Sequence, residues 1–268
     1  FTVGILPLIL LGIQSVMLID GFYGFENLTS HFWIGKSNLD IAGGEPGVIH
    51  NKIILGATWN TLKLAFLSAV IAAVIGIVIA YIAVRRSNNP LAILLDQIAF
   101  VPFLFPTIAF GAMYLTLFAV PVGPIPALYG TFTLLVLISV VSRLPYSVKT
   151  GITAVTQIGQ ELEEAAEVAG ASWWQRFRRI IMPLASSGIM SGMMVSFVGV
   201  MRELSLIILL ITPATRVLMT AGFGYAEEGF TQLTNALVLI VALLTIIGEL
   251  ILWKIGKGRM ARLREKQS

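Results

Sequence analysis

Cysteine is absent from this chain of 268 residues, histidine occurs twice, and charged residues make up only 12%. The first absence removes disulfides, thiolate chemistry and cysteine-based metal sites. His31 and His50, nineteen residues apart in one polar loop, read as solvated surface and not as a metal site. No H-E-x-x-H, G-x-S-x-G or Cys-His pairing occurs, so no hydrolytic constellation is in view. The nearest phosphate-loop lookalike, Gly35-Lys36-Ser37, has Ser30 where the motif needs its first glycine. No catalytic residue, metal site or cofactor is expected, and the chain encodes no ATPase.

The shortage of charge decides the class. With 57% hydrophobic residues there are too few polar groups to cover a water-facing exterior, and lipid is the exterior that fits. The net charge of +4 is no nucleic-acid footprint, because no basic run is interleaved with aromatics. An all-α membrane protein is expected. A bilayer core takes roughly 20 apolar residues as helix, and six runs qualify: about 1–19, 61–84, 92–120, 127–147, 187–211 and 234–255. Pro102 and Pro106 predict a break in the third. Phe1 opens directly on an apolar run without a basic n-region, which reads as a span and not a signal peptide; the native start is expected upstream.

Lys and Arg set the orientation. With both termini cytoplasmic, the inner segments hold Arg85 and Arg86; Arg143, Lys149, Arg176, Arg178 and Arg179; and Lys254, Lys257, Arg259, Arg262, Arg264 and Lys266. The outer loops hold Lys36, Lys52 and Arg216, so the bias is thirteen to three. Lys63 snorkels outward from the second span. The expected organisation is a first transmembrane helix over 1–19, an extracytoplasmic loop over 20–58, a transmembrane core over 59–256 and a basic cytoplasmic tail over 257–268. Ala65, Ala69, Ala73, Gly76 and Ala80 line one span at helical spacing; Gly188, Gly192, Ser196 and Gly199 line another. These are packing seams or faces of a pathway, and the pattern leaves both open.

One polar cassette interrupts the apolar chain, "ELEEAAEVAGASWWQRFRRIIMP" from Glu161 to Pro183. Glu161 to Ala169 reads as a short helix with its acids near the N-terminus, where the helix dipole favours them. Ala165, Ala166 and Ala169 give it a face of little bulk, and Gly170 stands where a left-handed turn would end it. Ser172 and Gln175 make a capping box for a second helix, on which Trp173, Phe177, Ile180 and Ile181 share a face. Arg176 and Arg179 point elsewhere, toward headgroups or a partner. Pro183 breaks the ladder before the fifth span. An amphipathic helix on the inner leaflet would explain the second helix. It would not explain the first, whose four acids would face anionic lipid, so protein docking is the stronger account.

Glu164-Ala165-Ala166, three residues, Gly170, nine residues, Ile180, one residue and then Met182-Pro183 resembles the E-A-A-x3-G-x9-I-x-L-P loop of type I ABC importer permeases. The one departure is Met182 in place of Leu, a volume-conserving change. The resemblance covers roughly residues 50–255. It implies six transmembrane helices with a coupling helix between the fourth and fifth, in a loop over 148–186. By the same resemblance, Glu164, Ala165, Ala166, Gly170 and Pro183 would meet an ATP-hydrolysing subunit. The implied partners are two such ATPase subunits, a second permease half and an extracytoplasmic solute-binding protein, in an inner or plasma membrane.

Ionisable residues inside spans are functional candidates, since a charge there costs at least ~2.5–3.5 kcal/mol. Arg202 and Glu203 stand out in the fifth span and mark a substrate pathway or an interhelix pair. Glu249 and Asp96 read as structural and interfacial. "RELSLIILL" followed by Pro213 is similar to the K/R-E-L stretch of the iron(III) branch of that family. Members of that branch often fuse two six-span halves, which would suit a chain opening on Phe1. Iron(III) or a small anionic solute is the cargo this implies. The loop 212–233 reads as a gate, a dock for a binding protein or a plain connector. A secondary transporter driven by an ion gradient is the alternative; it would place ionisable groups in several spans.

Overall fold

The computed structural model describes the backbone of residues 2–121, 123–124 and 126–265, and side chains between residues 5 and 256 of these. Ten helices carry the fold: α1 Thr2–Gln14, α2 Lys52–Arg85, α3 Pro90–Phe100, α4 Thr107–Phe118, α5 Phe132–Thr156, α6 Glu161–Val168, α7 Trp173–Leu184, α8 Ser186–Met201, α9 Leu218–Glu227 and α10 Thr231–Glu265. Their starts are chemically marked. The Asn51 side chain accepts the amides of Ile53 and Ile54 at the head of α2 (3.0 and 3.2 Å). Asn89 does the same for Leu91, with Pro90 at the first helical position of α3, and Thr131 accepts Leu134 at the head of α5. Each such cap satisfies an amide that the helix leaves without a partner.

Among the described residues, α2, α5 and α10 are each long and apolar enough to cross a bilayer. The run with Pro102 and Pro106 is broken as expected: α3 and α4 meet at 107° across a short 3-10 turn. Three other expected bounds are corrected. The first run forms helix over Thr2–Gln14 and the chain turns there, before the expected end at residue 19. The fourth continues to Thr156, which places Arg143 inside a span instead of at its inner end. The fifth ends as helix at Met201, and residues 202–212 are not helical. The predicted basic tail is helical as far as Glu265, and the side chains of 257–268 lie outside the described residues.

The core is a seam of small residues where α5 packs against α2 and α8. A Cβ built on Gly76 would stand 2.6 Å from the Ser147 Cβ, on Gly151 2.8 Å from Ala80, and on Gly188 2.4 Å from Ala154. Ala65, Ala69, Ala73 and Ala80 are buried on α2. Small residues here let backbones approach within dispersion range, which drives association in lipid. Ser147 and Ser196 share a buried hydrogen bond across the seam (3.1 Å), worth about 0.6 kcal/mol. Of the two readings of the stripes, close packing is the one seen for Gly76, Gly188 and Gly192. After Met201 the chain folds back: Leu206, Ile207 and Leu210 are buried beside Leu64, Leu134 and Ile138.

Two ends of the bundle are held differently. Helix α2 has 34 residues and therefore separates its ends by about 50 Å. At its N-terminal end Asn51 donates to Glu45 Oε2 (2.8 Å) and to Tyr225 Oη (2.9 Å). The Tyr225 hydroxyl donates to Glu45 Oε2 (3.0 Å). This ties the 20–51 loop to α9, and burial, with smaller effects from its partners, pushes Tyr225 up to about 12. At the other end sits the cassette.

Candidate functional site

The cassette folds as two short helices joined at a glycine. The Ala171 amide donates to Ala166 O (2.9 Å) and the Gly170 amide to Glu167 O (2.8 Å), which together close α6. Gly170 has φ +83, the left-handed conformation that this ending needs and that glycine adopts without strain. Ser172 then caps α7: its Oγ accepts the Gln175 amide (3.4 Å), and its own amide donates to Gln175 Oε1 (2.8 Å). Residues 177–181 widen into a π turn, where the Met182 amide donates to Phe177 O. Pro183 follows and has no amide to donate. The axis bends by 70° into α8.

Burial separates the faces of this unit. Phe177 and Ile181 are buried with Ile77, Tyr81, Val155 and Ile158, so α7 is held by apolar packing against α2 and α5. Trp173 stacks on Phe177 at 5.3 Å, and both meet the Tyr81 ring edge-on. Glu164, Ala165 and Gly170 are exposed, Ala166 is half-buried and Val168 is 90% exposed. The residues of the E-A-A-x3-G pattern thus form a surface with a small-residue face, while half-buried Pro183 sits apart at the bend. Arg176 does not point to headgroups: it pairs with Glu167 across the Gly170 turn.

Glu163 is the residue that sequence reasoning missed. It is 5% exposed. Its Oε1 accepts Arg85 Nε (2.6 Å) and its Oε2 accepts the Tyr81 hydroxyl (2.7 Å). Arg85 Nη2 continues to the Ile158 carbonyl (2.8 Å). A cleft of about 540 Å³ opens beside this set, lined also by Arg86, Gln160, Glu164 and Trp173. In a run of four acids nothing in the spacing singles out the buried one.

The intramembrane pair is also rearranged. Glu203 does not stand free: it binds Arg143 of α5, both side chains being nearly buried. Its other oxygen accepts the Leu206 amide (3.2 Å), at the point where the helix has ended. Gly199 makes room for Arg143, since a Cβ there would lie 2.5 Å from the guanidinium. Arg143 Nε is buried without a partner, and the guanidinium stands 5.9 Å from the Tyr146 ring centroid. Arg202 is exposed at the C-cap of α8. Arg143, Arg202, Tyr146, Ser191 and Glu249 line one cavity of about 450 Å³. Asp96 is half-buried with Oδ1 unpartnered. Sequence reasoning had spent Arg143 on topology, by ending the fourth span at about 147.

Residues 72–256 match the family described as the binding-protein-dependent transport system inner membrane component. The sulfate transport system permease protein of Escherichia coli K12 is 30% identical over 173 residues, 60% of each chain. A putative ferric transport system permease protein of Haemophilus influenzae is 34% identical over 160 residues, 59% of this chain and 24% of that one. The aligned part of the chain thus spans less than two thirds of the length of these relatives. A bacterial ABC transporter involved in import of the acidic polysaccharide alginate superposes with a TM-score of 0.72 at 16% identity, covering 96% of this chain and 91% of that one. The inward-facing MetNI methionine ABC transporter gives 0.64 at 18%, covering 77% and 96%. The match over 72–256 takes in the small-residue seam, the two-helix cassette and the charged cavity, and the chain belongs to the family of binding-protein-dependent transport system inner membrane components.

Proposed function

We propose that the chain is the membrane-spanning permease subunit of a binding-protein-dependent ABC importer. It supplies half of a translocation pathway and couples ATP hydrolysis in a partner to solute uptake. The observation that carries this is the cassette. A chain poor in charge keeps one helix that buries a single residue and offers Glu164, Ala165, Ala166 and Gly170 outward. Little side-chain bulk there lets another backbone come close, and the acids give a cationic groove something to meet. Pro183 sets the angle at which the loop leaves the bundle. Two ATPase subunits, a second permease half and a solute-binding protein complete the assembly, with the cassette and both termini on the cytoplasmic side of the inner membrane.

The cargo on this reading is a small anion, or iron(III) travelling with one. Two guanidinium groups line the charged cavity, and among the described residues only that of Arg143 is held by a carboxylate. The sulfate and ferric relatives fit that range of cargo. Co-purification with an ATPase, followed by uptake in proteoliposomes with sulfate, phosphate and iron(III) citrate, tests it. ATP-dependent accumulation that falls in Arg202→Ala, at unchanged protein in the membrane, is expected. Uptake unaffected by Arg202→Ala would remove the anion site, and failure to bind any ATPase would remove the permease reading.

A further inference from the structure

Helix α6 is tied to α7 by the Glu167–Arg176 pair across the Gly170 turn, and to the membrane helices by one buried side chain. Of its eight residues only Glu163 is buried; Leu162 is 51% exposed and Val168 90%, so no apolar packing holds it. Its neighbour α7 is fixed by the Phe177–Ile181 cluster. The chain itself attaches α6 at two points: residues 157–160 lead in from α5, and the Gly170 turn leads out to α7. Two points of attachment leave rotation about the line between them, and the Glu167–Arg176 pair, beside the Gly170 turn, ties α6 to α7 and not to α2. A third, off that line, removes it. The Glu163 carboxylate is that third point, with one oxygen on Arg85 Nε (2.6 Å) and the other on the Tyr81 hydroxyl (2.7 Å). Both partners are on the last turns of α2.

Arg85 also reaches back to the Ile158 carbonyl (2.8 Å), so the guanidinium bridges α2, the α5–α6 link and α6 itself. The far side of this joint is stiff. Gly76 and Gly151 bring α2 and α5 so close that a single methyl at either would collide, and closely packed helices transmit displacement with little compression. Glu163 is no part of the E-A-A-x3-G pattern, and it is buried against α2 where Glu164 and Ala165 are exposed.

We propose that Glu163, Arg85 and Tyr81 form the positioning joint that fixes α6 to α2, so that a push on the exposed face of α6 tilts the membrane helices instead of swinging α6 about Gly170. This rests on the permease reading for its consequence, though not for the joint itself. The three are positioning residues; none of them touches cargo or nucleotide in this account.

The test uses a property of the chain: it contains no cysteine, so one introduced cysteine carries the sole label. A nitroxide on Val168→Cys reports α6, and one on exposed Arg178→Cys reports α7. In Glu163→Gln and in Arg85→Lys the label at 168 is expected to become more mobile while the label at 178 does not change. In the complex with its ATPase the same substitutions are expected to lower solute taken up per ATP hydrolysed by about fivefold or more, with hydrolysis retained. A merely structural role would reduce the amount of folded complex and move both labels, leaving that ratio alone. Unchanged mobility at 168 overturns the joint, and so does raised mobility with an unchanged ratio. Should no ATPase associate with the unsubstituted chain, the permease reading fails, and the label at 168 still decides whether α6 is anchored by Glu163.

Discussion

Gly170 offers a perturbation whose size follows from geometry. Its φ is +83, and a Cβ placed there meets no atom within 4 Å. A side chain at 170 therefore has room in this chain and suffers only from its backbone torsion. An L-residue held in the left-handed region costs about 1–2 kcal/mol, with β-branched side chains at or beyond the upper end and Asn well below it. One or two kcal/mol is a factor of about 5 to 30 in an equilibrium. Gly170→Asn, →Ala and →Val should thus weaken the two-helix geometry in that order. Uptake per ATP hydrolysed by the reconstituted complex should fall in the same order, with the protein still inserted in the membrane. The ranking separates conformation from bulk. If crowding against a partner were the cause, Asn and Val would be equally damaging. That result, or Val behaving as the parent chain, would refute the hinge.

Breaking the intramembrane pair should be costly on one side only. Glu203→Gln leaves Arg143 nearly buried without its counter-charge and is expected to destabilise by about 3–5 kcal/mol, read as a drop in thermal midpoint in detergent. Removing both charges in Arg143→Gln/Glu203→Gln should recover most of the loss. Arg202→Ala, at an exposed position, should leave that midpoint within about 0.5 kcal/mol of the parent while abolishing anion uptake. Gly188→Val should open the seam, because the new Cβ would lie 2.4 Å from Ala154; a loss of about 1–3 kcal/mol is expected. Gly224→Ala, where nothing lies within 4 Å, should not show that loss in the same unfolding assay.

The parts of the fold that were legible are those written in local chemistry. Pro102 and Pro106 announced the break between α3 and α4, and Gly170 with Ser172 and Gln175 announced the cassette's two helices. These signals act through the backbone of their own residues, so no tertiary knowledge is needed. Hydropathy found the apolar runs but not where helix stops within them. Residues after Met201 are as greasy as those before it, and the turn there is stabilised by Glu203 accepting the Leu206 amide while bound to Arg143, sixty positions earlier in sequence. Such a contact has no local signature. The same holds for Glu163, whose partners lie on α2: of the acids in the cassette, which one turns inward is decided by what stands opposite. The fourth run likewise continues as helix to Thr156, past the expected end at 147, with Pro145 inside it and its missing donor tolerated.

The most direct measurement is transport by purified protein in sealed liposomes, assembled with a second permease half, its ATPase and a solute-binding protein. Solute should accumulate against its gradient only when the ATPase can hydrolyse ATP, and this should stop when Ala165 and Ala166 are replaced by bulky residues that hold the partner off. Uphill accumulation driven by a proton or sodium gradient, with no nucleotide and no ATPase present, would contradict the account.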